Sequence, residues 1–206
     1  MKPTIEQFTS MQALFEYFNV CLFDGKLPNI LLNLSRKGPN TGGFFAPSRW
    51  KSLKEENGQA IHEISLNPEC LRKDTKTVVS ILVHEMAHLW QQEFGEKKSR
   101  SGYHNKEWGA KMEEIGLMPS DTGQEGGKKT GQSMSHYIIP GGKFDVVYEQ
   151  MDKDLLLPFQ HIIIPAKNKT NKNKVKYTCP TCDSNVWGKE GLHIICEDCQ
   201  KEYHEN

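Results

Sequence analysis

The stretch His84-Glu85-Met86-Ala87-His88 decides how this chain is read. On an α-helix, side chains four residues apart share one face, so both imidazoles can reach a single metal ion at the usual zinc–nitrogen distance of about 2.0–2.1 Å. The surrounding letters support a helix. Asp74 is a suitable N-cap, Gly95 a C-terminal stop, and Val78, Val79, Ile81, Leu82, Val83, Met86, Leu89 and Trp90 place apolar groups on most sides between them. The pattern predicts a buried helix from Thr75 to Phe94. Two imidazoles and a carboxylate are costly to bury unless ligated or hydrogen-bonded. That favours a metal site over a chance His-x-x-x-His on a helix surface. Glu85, next to the first histidine, has the position of a general base that takes a proton from water in metal-assisted peptide hydrolysis.

Catalytic zinc commonly takes three protein ligands and keeps one position open. His104 stands 16 positions after His88, beyond a polar turn with Gly95 and Gly102 and before a second helix with the apolar stripe Trp108, Met112 and Ile115. Glu107, Glu113 and Glu114 compete for the role of third ligand. His104 is favoured because it stands at the entrance to the helix rather than on a solvated face.

Near the C-terminus, Cys179-Pro180-Thr181-Cys182 and Cys196-Glu197-Asp198-Cys199 form two Cys-x-x-Cys knuckles separated by 13 residues. Four thiolates close a tetrahedral site with no place for water, so Cys179, Cys182, Cys196 and Cys199 predict a structural zinc. A segment of about 30 residues needs such a staple, since it cannot build a sufficient core alone. Two disulfides or an iron–sulfur site are the alternatives.

Taken together, Val83 to Trp90, the later Tyr103-His104-x-x-x-Trp108, the early Phe18-Asn19-x-x-Leu22-Phe23-Asp24-Gly25-Lys26-Leu27-Pro28 and the four-cysteine tail resemble the SprT-like zinc metallopeptidases, which include Spartan-type proteases acting on DNA–protein crosslinks. The resemblance covers nearly the whole chain. It implies His84, His88 and His104 as ligands of a catalytic zinc and Glu85 as acid/base. Relatives often carry Gly-Pro between the third histidine and the acidic residue, where this chain has Asn105-Lys106.

Composition bounds the remainder. At 206 residues the chain accommodates one main domain and a small appendage. The 26 basic and 26 acidic residues cancel, so any attraction to nucleic acid must be local. The N-terminus lacks the apolar core of a secretory signal and no window approaches the length of a membrane span, which predicts a cytoplasmic protein with no membrane partner; a monomer is expected.

In chain order, Thr4 to Phe23 has the spacing of an amphipathic helix, on which Cys21 is a small buried hydrophobe. Ile30 to Leu34, Gly43 to Ala46 and Ala60 to Leu66 read as strands of an antiparallel sheet, with Lys51 to Gly58 as a charged hairpin loop. His62 and Glu63 read as solvent-facing or cross-strand residues rather than a second metal motif. An edge strand above the cleft is a candidate for pairing with extended substrate. Ser120 to Ser133 reads as a mobile loop, followed by a hairpin of His136 to Ile139 and Phe144 to Tyr148 around Pro140-Gly141-Gly142. Tyr103, His136 and Tyr137 are candidate oxyanion stabilisers. Between Ala166 and Thr178, Lys167, Lys169, Lys172, Lys174 and Lys176 occur with no acidic residue, either as a solvated spacer or as an arm contacting DNA phosphates.

The expected fold is α+β: a compact zincin-type core of a helix, a small antiparallel sheet and two helices carrying the metal site, followed by a zinc ribbon. The expected domains are 1–165, with a hairpin extension at 134–165, a lysine-rich linker at 166–176 and the ribbon at 177–206. The expected function is zinc-dependent endopeptidase action on protein substrates, DNA-bound or crosslinked ones included, with one catalytic and one structural Zn2+. The competing readings are a non-catalytic nucleic-acid adaptor and a general peptidase unconnected with DNA.

Overall fold

The computed structural model describes residues 1–36, 38, 41–54, 58–100, 102–162 and 174–206. The chain is mixed α+β and divides into two compact units, Met1–Ile162 and Ile163–Asn206.

In the first unit, α1 (Pro3–Phe23) buries Met11, Leu14, Phe15, Phe18 and Leu22, the i, i+3, i+4 stripe expected of an amphipathic helix. It closes on Asp24 and Gly25 in left-handed conformations. β1 (Leu31–Leu34), β2 (Gly43–Trp50) and β3 (Ile61–Leu66) form a sheet in the order β1-β3-β2. β2 and β3 are antiparallel, whereas β1 runs parallel to β3, so the sheet is mixed rather than antiparallel throughout. A 3-10 turn, Pro68–Arg72, leads to α2 (Thr75–Phe94), which has the bounds its capping residues predict. Asp74 Oδ1 accepts from Thr77 N at 2.9 Å and Gly95 caps the other end. Val79, Leu82, Val83, Met86, Ala87 and Leu89 are buried, making α2 the centre of the core.

After α2 come β4 (Tyr103–His104), α3 (Lys106–Glu114), β5 (Leu117–Ser120), β6 (Gly131–Gln132) and β7 (Ser135–Ile138). β4 pairs with β6 and β5 with β7. The 120–133 segment is tied down as well: Ser120 Oγ donates to Gln124 O at 2.6 Å, and Asp121 Oδ1 accepts from Lys128 N at 2.9 Å. The expected hairpin around Pro140-Gly141-Gly142 is not formed. Residues Lys143–Gln150 are helical (α4), with Gly142 as N-cap and Asp145 Oδ2 accepting from Gly141 N at 2.8 Å. Phe144 and Tyr148, one helical turn apart, are both buried, and Phe144 stacks on Phe18 with ring centroids 5.6 Å apart. That spacing of four carries the helical signal that the apolar run Val146-Val147 obscured.

His62 and Glu63 on β3 are buried, not solvent-facing. His62 Nδ1 accepts from Ser48 N at 2.8 Å and its Nε2 lies 2.9 Å from Glu93 Oε1 on α2. Glu63 accepts from Trp50 Nε1 at 2.6 Å and Ser65 Oγ at 2.5 Å. Both are cross-strand or cross-layer ties that keep buried polar groups satisfied.

The second unit contains a three-stranded antiparallel sheet, β8 (Val175–Thr178), β9 (Asn185–Gly188) and β12 (His204–Glu205), in the order β12-β8-β9, and a short pair, β10 (Ile195–Cys196) with β11 (Lys201–Glu202). Tyr177 is its buried centre: the hydroxyl donates to Lys189 O at 2.5 Å and accepts from Leu192 N at 2.9 Å. No helix among the described residues is long and apolar enough to cross a membrane.

Candidate metal centres

α2 presents His84 and His88 on one face, and the rest of the site depends on bringing the chain back after Gly95. Glu107, at the start of α3, accepts from Glu96 N at 2.8 Å and Lys97 N at 3.1 Å. Gln91 on α2 donates through Nε2 to Asn105 Oδ1 at 2.7 Å, and Asn105 Nδ2 donates to Lys97 O at 2.7 Å. Asn105 Oδ1 also caps α3 by accepting from Trp108 N at 3.0 Å. Asn105 is thus a helix N-cap clamped to α2, and it delivers His104 to the face of His84 and His88. Ring centroids are 5.2 Å apart for His84–His88, 4.7 Å for His88–His104 and 5.7 Å for His84–His104. One ligand atom from each of the three lies within 4.8 Å of the others.

The competing carboxylates are occupied elsewhere. Glu107 holds the 96–97 turn, Glu113 pairs with Lys129 at 3.0 Å and Glu114 with Lys111 at 2.8 Å. Trp108, fully buried, forms the floor of the cluster, with its ring centroid 4.4 Å from His104, 5.0 Å from His84 and 5.1 Å from His88.

The electrostatics suit a metal. Burial, reinforced by the neighbouring imidazoles, holds His84 well below its ordinary pKa; burial and then His104 push His88 down to about 3; burial also lowers His104. Neutral imidazoles carry the free lone pair that a metal needs. His104 Nδ1 lies 3.3 Å from Gly131 O, which leaves Nε2 to face the cluster. Glu85 is buried at 6% exposure, and the first residue of β2 lies against it: a Cβ on Gly43 would stand 3.3 Å from Glu85 Oε1.

Of the candidate oxyanion stabilisers, His136 on β7 is brought to the site but spends Nδ1 on His84 Nδ1, 3.1 Å away, and Nε2 on Ser80 Oγ at 2.9 Å. Tyr103 and Tyr137 are half-buried and lie next to His104 and His136 in β4 and β7.

In the second unit, Cys179, Cys182, Cys196 and Cys199 bring their sulfurs within 4.8 Å of one another. The two knuckles are the same turn. Asp183 N donates to Cys179 O at 3.1 Å, Gln200 N donates to Cys196 O at 2.8 Å, and both Asp183 and Gln200 have positive φ. The Ser184 hydroxyl and backbone N–H hold the Cys182 thiol down at about 6, favouring the thiolate. Both the three-histidine and the four-cysteine groups fit zinc.

Of the lysine arm, Lys174 and Lys176 are described; Lys167, Lys169 and Lys172 lie outside the described residues. Lys176 is the cross-strand partner of Trp187, which is 61% exposed. Only the β8–β9 register reveals that pairing, because 11 positions separate the two residues in sequence.

No curated protein and no solved structure gives a significant match to the chain. The model of the SprT-like family matches residues 11–129, more than half of the 206. That stretch contains α1 from Met11 onward, the mixed sheet, the three clustered histidines and Glu85. This chain belongs to the SprT-like family.

Proposed function

We propose that the chain is a zinc metallopeptidase of zincin type, acting on protein substrates through His84, His88, His104 and Glu85. The observation that carries this reading is the convergence of three neutral imidazoles from α2 and β4 within 4.8 Å, with a buried carboxylate beside the first of them. When bound there, zinc supplies Lewis acidity, polarising a substrate carbonyl and making water acidic near neutral pH. His84, His88 and His104 hold the ion, and Trp108 packs against all three rings and keeps bulk water from beneath them. Glu85 accepts a proton from the attacking water and delivers it to the departing amine. A purely structural three-histidine site has no use for a general base in that position.

β2 is an edge of the sheet and begins at Gly43, against Glu85. An extended substrate segment adds to this edge through backbone hydrogen bonds, which places its peptide bonds above the histidines. The four cysteines hold a structural zinc in the second unit, and the ribbon serves recognition. Its exposed Trp187 beside Lys176 combines a stacking surface with a phosphate partner, which favours nucleic acid as the ribbon's ligand and a DNA-bound protein as the substrate.

The test is hydrolysis of an unfolded polypeptide, and of a protein bound to single-stranded DNA, by the zinc-loaded chain. Chelation should abolish both, and DNA should accelerate only the second. No hydrolysis of either substrate overturns the peptidase reading; equal rates with and without DNA overturn the nucleic-acid part alone.

A further inference from the structure

The hydrogen bonds behind His84 form a chain whose direction is fixed at its far end. Ser80, 2% exposed on α2, has a single hydroxyl proton and donates it to Thr77 O at 2.8 Å. Its oxygen can then only accept from His136 Nε2, 2.9 Å away, so His136 carries its proton on Nε2. A neutral His136 has a bare Nδ1, which lies 3.1 Å from His84 Nδ1 and must accept from it. The proton of His84 is therefore on Nδ1, and Nε2 is left bare. A backbone carbonyl in the first turn of α2 thus sets the tautomer of a candidate metal ligand two turns further on.

We infer that His136 is a positioning residue for the metal site: with Ser80 it locks His84 in the Nδ1–H tautomer, with Nε2 presented to a divalent cation. This rests on the three-histidine site proposed above. Metal-binding histidines usually donate their second N–H to a carboxylate, a carbonyl or water, and losing that partner costs about 10–100-fold in metal affinity. Here the partner is an imidazole, and it comes from β7, beyond the stretch that the family model matches. His136 is not a fourth ligand in this arrangement. Both of its nitrogens are occupied, and it stands outside the set whose ligand atoms lie within 4.8 Å.

The experiment measures zinc affinity of the full-length chain by chelator competition, with cobalt substitution to separate the histidine site from the thiolate site by its charge-transfer bands. His136→Ala should weaken the histidine site by about 10–100-fold and leave the cysteine site unchanged. His136→Gln, whose carbonyl can accept from His84 and whose amide can donate to Ser80, should recover most of that loss. In a His84→Ala background, His136→Ala should add little, because its effect passes through His84. Affinity within two-fold of wild type for His136→Ala overturns the inference. So does an equal loss for Ala and Gln that persists without His84, which would mark His136 as a packing residue. A wild-type chain whose histidine site binds no zinc would instead overturn the metal site itself.

Discussion

Gly43 leaves no room for a side chain beside Glu85: a methyl group at position 43 would meet the Glu85 Cγ at 3.2 Å and the Ser65 carbonyl oxygen at 2.9 Å. The second contact is with backbone and cannot be relieved by a rotamer change. Gly43→Ala should therefore push the start of β2 away from α2 and displace Glu85. The expected loss is at least ten-fold in kcat/KM, with a stability cost of about 1–3 kcal/mol as for other overpacked sites. Steady-state cleavage and urea unfolding check it, and wild-type activity in the variant would refute the placement of Glu85.

The metal-free protein should be labile in mild acid. Burial first, then neighbouring charges, lowers His88 to about 3 and His136 to about 4, while the unfolded chain titrates near 6.5. Between those values the unfolded state binds more protons than the native state, so stability falls as pH drops from about 6.5 and is fully present above it. The slope is about 1.4 kcal/mol per pH unit for each imidazole. Urea midpoints of the metal-free chain at several pH values measure this, and a flat profile from pH 7 to 5 would show that the cluster opens without metal.

The two units should lose metal independently. Cys196→Ser removes one thiolate from the knuckle pair and should drop the zinc content by one ion and unfold the second unit, as expected where metal-binding free energy supplies the folding free energy of so small a segment. Cleavage of a short free peptide should survive. Zinc analysis with circular dichroism decides, and simultaneous loss of both ions would show that the units are coupled.

Trp187→Ala and Lys176→Ala remove exposed side chains, so neither should disturb the ribbon. Trp187→Ala should weaken single-stranded DNA binding by about 1–3 kcal/mol. Lys176→Ala should reduce the salt-dependence slope by about one. Titrations of labelled oligonucleotide over a salt series separate the two effects, and unchanged affinity in both variants would leave the ribbon without a nucleic-acid role.

The parts of this fold that were legible in the sequence are those set by local signals. Asp74 and Gly95 bracket α2, and the i, i+3, i+4 stripe marks α1, because caps and periodicity act within one or two turns. His104 was readable from its place at the mouth of α3, although what delivers it there, the Gln91–Asn105–Glu107 clamp, joins two elements and has no local signature. The parallel pairing of β1 with β3 was not legible, since strand direction depends on which edge of β3 the chain returns to. The burial of His62 and Glu63 follows from partners on other elements, Glu93 and Trp50 among them. The sequence marks His136 as a polar group for the site but does not show what it touches. Its partner Ser80 lies 56 residues upstream, and only the fold brings the two within 2.9 Å.

The most direct test of the central claim compares Glu85→Gln with wild type at matched zinc content, because the amide keeps the shape of the carboxylate and removes its proton acceptor. The variant should carry two zinc ions per chain, as the wild type should, and show no hydrolysis of an unfolded polypeptide above background. Turnover at or near the wild-type rate by the zinc-loaded variant would contradict the assignment of Glu85, and with it the account of how this site works.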